Sequence, residues 1–319
     1  MAFRVVMIEN EVSMKLKLNN LVLDKEGQEI WIPLSDISVV VIDNLRISIT
    51  TRMLSMFADK GIGVIVCNME HLPIGYYSAY DSHSRASKVI KSQISYLRED
   101  YDCLWSNIIK SKIKNQYKVL EKLNKSKDVI EAMKDYESSV ELGDLGNREA
   151  HAAKIYFNEL MGSSFSRGND DLLINSGLDY GYAIVRSYLA RMCVSYGLNT
   201  SIGIHHRSEY NRFNLVDDIF EPFRPIVDLY VYELLSDEEY FKPEHRHKLV
   251  NILNHKIKYK NKEMYISNAL EEYVFNVASI ITGNFKKLTF PDVNDYRGDK
   301  DGVWDYENAM HVWFTNGDW

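Results

Sequence analysis

"SRASKVIKSQISYLREDYDCLWSNIIKSKIKNQYKVLEKL", residues 84–123, runs for 40 positions without glycine or proline, and its apolar residues recur every three or four. That period marks amphipathic helix, and its length requires one long helix or two in series. Upstream the pattern differs. Residues 3–75 hold short alternating or wholly apolar segments, "FRVVMI", "LVLD", "QEIWIP", "ISVVVID" and "RISIT", broken by turn residues, which predict strands. One helix interrupts them, "TTRMLSMFADKG", with Thr50 or Thr51 as N-cap and Gly61 just past its end. It leads into the strand "IGVIVC" and then "PIGYYSAY".

Downstream, helical patterns recur at 146–162, 171–196, 214–235, 243–254 and 265–283, with a small hairpin at 255–266. The expected fold class is therefore α+β: a small β-rich N-terminal domain over 1–80, a hinge near 78–84, and a larger helical domain over 84–290. Residues 291–319 carry 7 acids against 2 basic residues, with Trp304, Trp313 and Trp319. They read as an acidic tail, either docked by its tryptophans or disordered. "DVNDYRGDKDGV" within it fails as a calcium loop, because Arg297 and Val303 stand where glycine and glutamate are required.

With 319 residues, 45% of them hydrophobic, the chain is long enough to bury a sizeable core. Cys67, Cys103 and Cys193 are odd in number and far apart, which predicts reduced, buried thiols. The first residues lack a signal-peptide core and the longest apolar runs have six residues, so a cytoplasmic protein with no membrane partner is expected. The net charge of −7 hides an asymmetry. Residues 84–127 hold 11 Lys/Arg against 4 Asp/Glu, leaving −14 on the remainder. Polyanion binding depends on a local basic stripe, so the acidic total excludes nothing. Lys110, Lys114, Lys118 and Lys122 fall at four-residue steps, with Arg85, Lys88 and Lys91 upstream. Such a ridge is usually a solvated face, but it can also track a phosphate backbone.

Two stretches carry candidate chemistry. In "GNREAHAAKIYFNELMG", 146–162, Asn147 is a natural N-cap and Ala153, Tyr156, Phe157 and Leu160 form the apolar stripe. Glu149 lies one turn back on that stripe, so it is either a first-turn acid favouring the helix dipole or a carboxylate at the edge of a site. In "HHRSEYNRFNLVDDIFEPFRP", 205–225, the acids Asp217, Asp218 and Glu221 share a face with Asn214, Arg224 and Asp228. Spacing alone favours a solvated helix face, with Pro222 kinking the helix. His205 and His206 precede that face in an extended segment, so only one imidazole would meet the acids. Histidine with carboxylates and no cysteine suits Mg²⁺ or Mn²⁺ better than structural zinc. His245 and His247 read as surface residues. There is no P-loop, nucleophile elbow or zincin motif, and Gly61 with Gly63 follows a helix and lacks the third glycine of a dinucleotide loop.

Taken together, "GNREAHAAKIYFNELMG", "NSGLDYGYAIVRSYLA" and "HHRSEYNRFNLVDDIFEPFRPIVD", in this order, resemble the CRISPR-associated spacer-acquisition integrase, the CRISPR protein numbered one, with its type II branch nearest. The resemblance spans about residues 3–285. It implies a β-rich N-terminal domain used for dimerisation and partner contact, and a helical catalytic domain. It implies a metal site of Glu149, His206 and Glu221, His206 being preferred to His205 because the family's histidine lies 15 residues before the glutamate of "EPFRP". Asp218 then stands behind these ligands or substitutes for one. The implied cofactor is Mg²⁺ or Mn²⁺. The implied partners are double-stranded DNA, both as a prespacer and as the CRISPR repeat, a second copy of the chain, and a small ferredoxin-like adaptation protein. The implied reaction joins prespacer 3′-OH ends to the repeat by transesterification. A nuclease of branched DNA using the same metal site, or a non-catalytic DNA-binding scaffold, are the other readings of the same residues.

Overall fold

A computed structural model describes residues 4–25, 27–80, 83–168, 173–284 and 287–298. The first part of the chain forms β1 (Arg4–Ile8), β2 (Ser13–Lys17), β3 (Asn20–Lys25), β4 (Gln28–Pro33), β5 (Ile37–Ile42), α1 (Thr51–Asp59), β6 (Gly63–Cys67) and β7 (Pro73–Tyr77). Strands β2, β3 and β4 make an antiparallel meander. The other sheet has the order β1-β5-β6-β7, parallel except for its last pair. Parallel strands covered on both faces read as unbroken apolar runs, and all six residues of β5, ISVVVI, are buried. Thr50 caps α1 through its side chain, which accepts from Met53 N at 3.2 Å, and Gly61 follows at φ +65. "RISIT" makes no strand; Ile47 and Ile49 instead pack against the core beneath α1.

The period-3.6 stretch is two helices, α2 (Ala86–Ser95) and α3 (Arg98–Lys122), broken at Tyr96 and Leu97, which are extended. Gln93 at the end of α2 is fully buried. Its amide donates to the carbonyls of Asn199 and Ile202 at 2.9 and 2.7 Å, so the break seats α2 on the segment leading to His206. Then come α4 (Lys127–Ser138), α5 (Arg148–Met161), α6 (Leu173–Ser195), α7 (Asn214–Phe220), α8 (Arg224–Leu235), α9 (Pro243–Val250), β8 (Lys256–Tyr259), β9 (Lys262–Tyr265) and α10 (Ile266–Ile281). The expected hairpin is β8–β9, and β10 (Tyr296–Gly298) adds a third strand beside β8. Residues 291–298, expected as the start of a tail, thus belong to the folded body. Val293 N donates to the buried Asn115 side chain of α3 at 3.1 Å. The rest of that tail, with Trp304, Trp313 and Trp319, lies outside the described residues, as do 81–82 of the expected hinge.

The sheet of β1, β5, β6 and β7 has two cores. Val6, Ile8, Val40, Ile42 and Val64 face α1 and the meander. Val5, Met7, Val39, Val41, Ile65 and Cys67 face the same apolar cluster that fills the helical region. One face of the first sheet is therefore continuous with the helical core. Cys67 and Cys193 are buried as expected, but Cys103 is exposed on α3. Among the described residues no helix is long and apolar enough to cross a membrane.

Candidate active site

Glu149 enters at the start of α5, on the stripe that continues into buried Ala152, Tyr156 and Leu160. The cap is not the Asn147 side chain. Asn147 sits in the left-handed region at φ 49 and makes no cap hydrogen bond. Asp144 does the capping: its Oδ1 accepts from Arg148 N at 2.9 Å and its Oδ2 from Glu149 N at 3.0 Å. A carboxylate is the best charge for these orphan N–H groups.

Glu221 enters from the kink. Pro222 lacks a backbone donor and cannot continue α7, so Glu221–Phe223 tightens into a 3-10 turn before α8. The acids of this segment do not form the solvated face that their spacing suggests. Asp218, Glu221 and Asp228 are 0%, 4% and 1% exposed, because α3 and α6 pack against α7, the turn after it and α8. Buried carboxylates require donors or cations, and each has them.

Asp218 organises the histidines. Its Oδ2 accepts from the backbone N–H of Ile204 at 2.6 Å and of His205 at 2.9 Å, and its Oδ1 from His206 N at 3.2 Å. Oδ1 also meets His206 Nδ1 at 2.5 Å. In the neutral ring that bond keeps the proton on Nδ1 and leaves the lone pair on Nε2, the orientation of a ligating imidazole. It also raises the His206 pKa above the usual histidine range. His205 turns away and stacks on Trp105, with centroids 4.4 Å apart and planes within 5°. Burial lowers its pKa. One imidazole therefore meets the acids, and it is His206.

The residue that the sequence pattern passes over is Lys112. Its Nζ donates to Glu149 Oε1 at 2.7 Å and lies 2.5 Å from Glu221 Oε2, a charge contact without hydrogen-bond geometry. Arg224 Nε holds the other oxygen of Glu221 at 3.0 Å. Burial would raise the Glu221 carboxyl, but Arg224 and Lys112 overcome it and hold the group below the usual carboxylate range. Burial would likewise depress the Lys112 ammonium, yet Glu221 and Glu149 hold it above the ordinary lysine range. The signal was present: Lys112 falls on the buried face of α3 with Trp105, Ile108, Ile109, Asn115 and Gln116. Lys110, Lys114, Lys118 and Lys122 lie on other faces. Lys114 and Lys122 are exposed, and Lys118 is half-buried in an ion pair with Asp292.

Two carboxylates from separate elements thus converge on one buried cationic point, with Glu221 Oε2 lacking a hydrogen bond there. An oxygen-rich pair with an adjacent imidazole fits Mg²⁺ or Mn²⁺. The ligand atoms of Glu149, His206 and Glu221 do not all lie within 4.8 Å of one another; among the described residues that holds for Glu238, Glu244 and His245. This second trio is a poor metal site. His245 is not the surface residue expected from sequence: it is buried, and its Nδ1 accepts from Lys242 N at 3.1 Å, which puts the proton on Nε2, facing the two acids. Lys242 also pairs with Glu238 at 2.7 Å. His247, also expected at the surface, meets Glu9 instead.

The sequence profile described as "CRISPR associated protein Cas1" matches residues 5–265. The CRISPR-associated endonuclease Cas1 of Neisseria meningitidis serogroup C is 32% identical over 297 residues, covering 92% of this chain and 97% of that protein. A second protein so described, from Francisella tularensis subsp. novicida, is 23% identical and covers 89% of this chain and 98% of its own. Among solved structures, a casposase bound to integration product aligns with TM-score 0.72 at 20% identity, over 97% of this chain and 98% of that one. A CAS1 protein from Thermotoga maritima aligns with TM-score 0.71 at 16% identity, over 91% of this chain and all of that one, a likeness of fold.

Proposed function

The chain belongs to the Cas1 family of CRISPR-associated proteins, and from that premise we propose that it is a divalent-metal-dependent DNA endonuclease and integrase that joins the 3′-OH ends of prespacer DNA to a CRISPR repeat by transesterification. The observation that carries this is the convergence of Glu149 and Glu221 on a single buried cationic point. Glu149, Glu221 and His206 Nε2 would hold Mg²⁺ or Mn²⁺. Bound there, the ion would lower the pKa of an attacking hydroxyl and offset charge at the leaving oxygen. No covalent protein nucleophile is needed, and the two buried thiols, with pKa values raised by burial, could not serve as one.

The chain's own groups have separable tasks in this reading. Asp218 orients His206, Arg224 holds Glu221 ionised, and the capped turn at Asp144 fixes Glu149. Exposed Arg85, Lys88, Lys91, Lys114 and Lys122 offer the DNA backbone its counter-charge. We assign 84–290 as the catalytic part and 1–80 as the part that meets a second copy and a small ferredoxin-like adaptation protein. Edge strand β7 supports the latter, since Ile74 on it and Met69 in the preceding turn are exposed. A chain of similar fold, at 16% identity, belongs to a structure described as a Cas6-RT-Cas1–Cas2 complex.

The test is a strand-transfer assay with prespacer duplexes bearing free 3′-OH ends and a repeat-containing target. Glu149→Ala and His206→Ala should each lower joined product by at least about a thousand-fold, with secondary structure and assembly unchanged. Full joining by both variants refutes the assignment. Nicked target without joined product identifies a hydrolytic nuclease instead.

A further inference from the structure

Lys112 is not a surface partner of the carboxylates. Its side chain is 10% exposed, those of Glu221 and Glu149 are 5% and 23% exposed, and each of the three comes from a different element: α3, the kink after α7, and the start of α5. Two carboxylates brought this close repel each other unless a cation stands between them, and here that cation is an ammonium. A divalent ion bound to both would lie at about 2.0–2.2 Å from each oxygen. That places it within contact distance of Nζ, which lies 2.7 and 2.5 Å from the same atoms. Two cations cannot share that point. Arg224 binds the opposite oxygen of Glu221 and need not move. Lysine suits the exchange: a compact charge on a flexible four-carbon stem, which can rotate aside where a guanidinium fork would stay locked.

We propose that Lys112 is a placeholder cation, which spaces Glu149 and Glu221 as a divalent ion would and must swing aside before one can enter. Ion affinity is then set by competition with a side chain of the protein, and the wider spread of the Glu149, His206 and Glu221 ligand atoms is closed only after the ammonium leaves. The inference rests on the assignment of Glu149 and Glu221 as ion ligands. A purely structural ion pair makes the opposite forecast: removing Lys112 would destabilise the protein and leave ion binding unchanged or weaker.

Calorimetric titration of MnCl₂ into the full chain separates these cases. Lys112→Gln should bind Mn²⁺ at least about ten-fold more tightly than the unaltered protein. Lys112→Arg, which keeps the charge, should show no gain. Should Lys112→Gln be too unstable to titrate, its melting temperature should rise with added Mn²⁺ by more than that of the unaltered protein. A folded Lys112→Gln that binds Mn²⁺ no more tightly, or an unstable one that Mn²⁺ fails to rescue, overturns the proposal. Glu221→Gln tests the underlying assignment on its own: it must lose Mn²⁺ binding, and if it binds as the unaltered protein does, the ligand assignment fails whatever Lys112→Gln does.

Discussion

A methyl group at position 203 would collide with the His206 carbonyl oxygen and stand 2.8 Å from Asp218 Oδ2. Only glycine lets the chain pass this close to the carboxylate that gathers three consecutive N–H groups. Gly203→Ala should therefore cost about 2–3 kcal/mol in urea denaturation and reduce joining by more than its loss of folded protein explains. Asp228 makes a different prediction. Burial pushes its carboxyl up to about 6, even though Tyr182 donates to it. A carboxyl raised in the folded state stabilises below its unfolded pKa, and that contribution is lost as pH rises from about 4 through about 6. Relative to the unaltered protein, Asp228→Asn should gain stability across that window by up to about 3 kcal/mol. Denaturation at pH 4 and pH 7.5 checks it; a constant difference between the two proteins would show that Asp228 titrates normally. At this scale the residue pattern left Glu149, the histidine pair and the acids of 217–221 as candidates beside blander readings, and the resemblance of motifs singled out Glu149, His206 and Glu221. Spacing alone put the acids on a solvated face, because a helix cannot announce from its own period that α3 and α6 will enclose its polar side. Lys112 was hidden for the same reason, outweighed by the regular spacing of Lys110, Lys114, Lys118 and Lys122, of which only Lys114 and Lys122 are exposed.

Helix α5 begins in a turn that is strained on purpose of position: Gly143, Asp144 and Asn147 all have positive φ, two of them without being glycine. Ser106 Oγ accepts from Gly143 N at 2.8 Å, pinning this turn to α3, and its single hydroxyl proton lies within reach of the Asp102 and Glu141 carbonyls, at 2.7 and 3.0 Å. Asp144→Ala removes both cap bonds without substituting any proposed ligand. It should lower stability by about 1–2 kcal/mol. Strand transfer should fall further at limiting Mn²⁺ than at saturating Mn²⁺, because Glu149 would be poorly placed; equal loss at both concentrations would make the cap merely structural. Elements whose burial matches their own period were legible: β5 as an unbroken apolar run, the β8–β9 hairpin, and α5, α6 and α10 within a few residues of the expected bounds. Those stabilised from outside were not. Helix α4 is half charged and owes its order to packing against α3 and α5. "RISIT" alternates as a strand should, yet it pairs with no strand among the described residues, and its half-buried isoleucines pack against the core beneath α1 instead.

For the whole molecule, charge distribution matters more than total charge. Lys88 and Lys91 lie exposed on α2, on the helix whose Gln93 holds the segment leading to His206. Replacing both with glutamine should weaken DNA binding at every sequence and lower the slope of log affinity against log salt by about two. An unchanged slope would place the DNA elsewhere. The ions that join the two halves of the chain have another role. Arg246 of α9 pairs with Asp43 at 3.1 Å and Glu9 at 3.3 Å, and His247 meets the other oxygen of Glu9. The Asp43 side chain is wholly enclosed, and its other oxygen meets His71 at 2.9 Å. During synthesis the strands that end at residues 8 and 42 emerge some 200 residues before Arg246 does. Until then the sheet holds an acid without its guanidinium and an apolar face without its helices, so it cannot settle on its own. The ribosome must therefore release about three quarters of the chain before its first sheet can lock, and premature termination in α8 should yield an aggregating fragment in place of a stable N-terminal module.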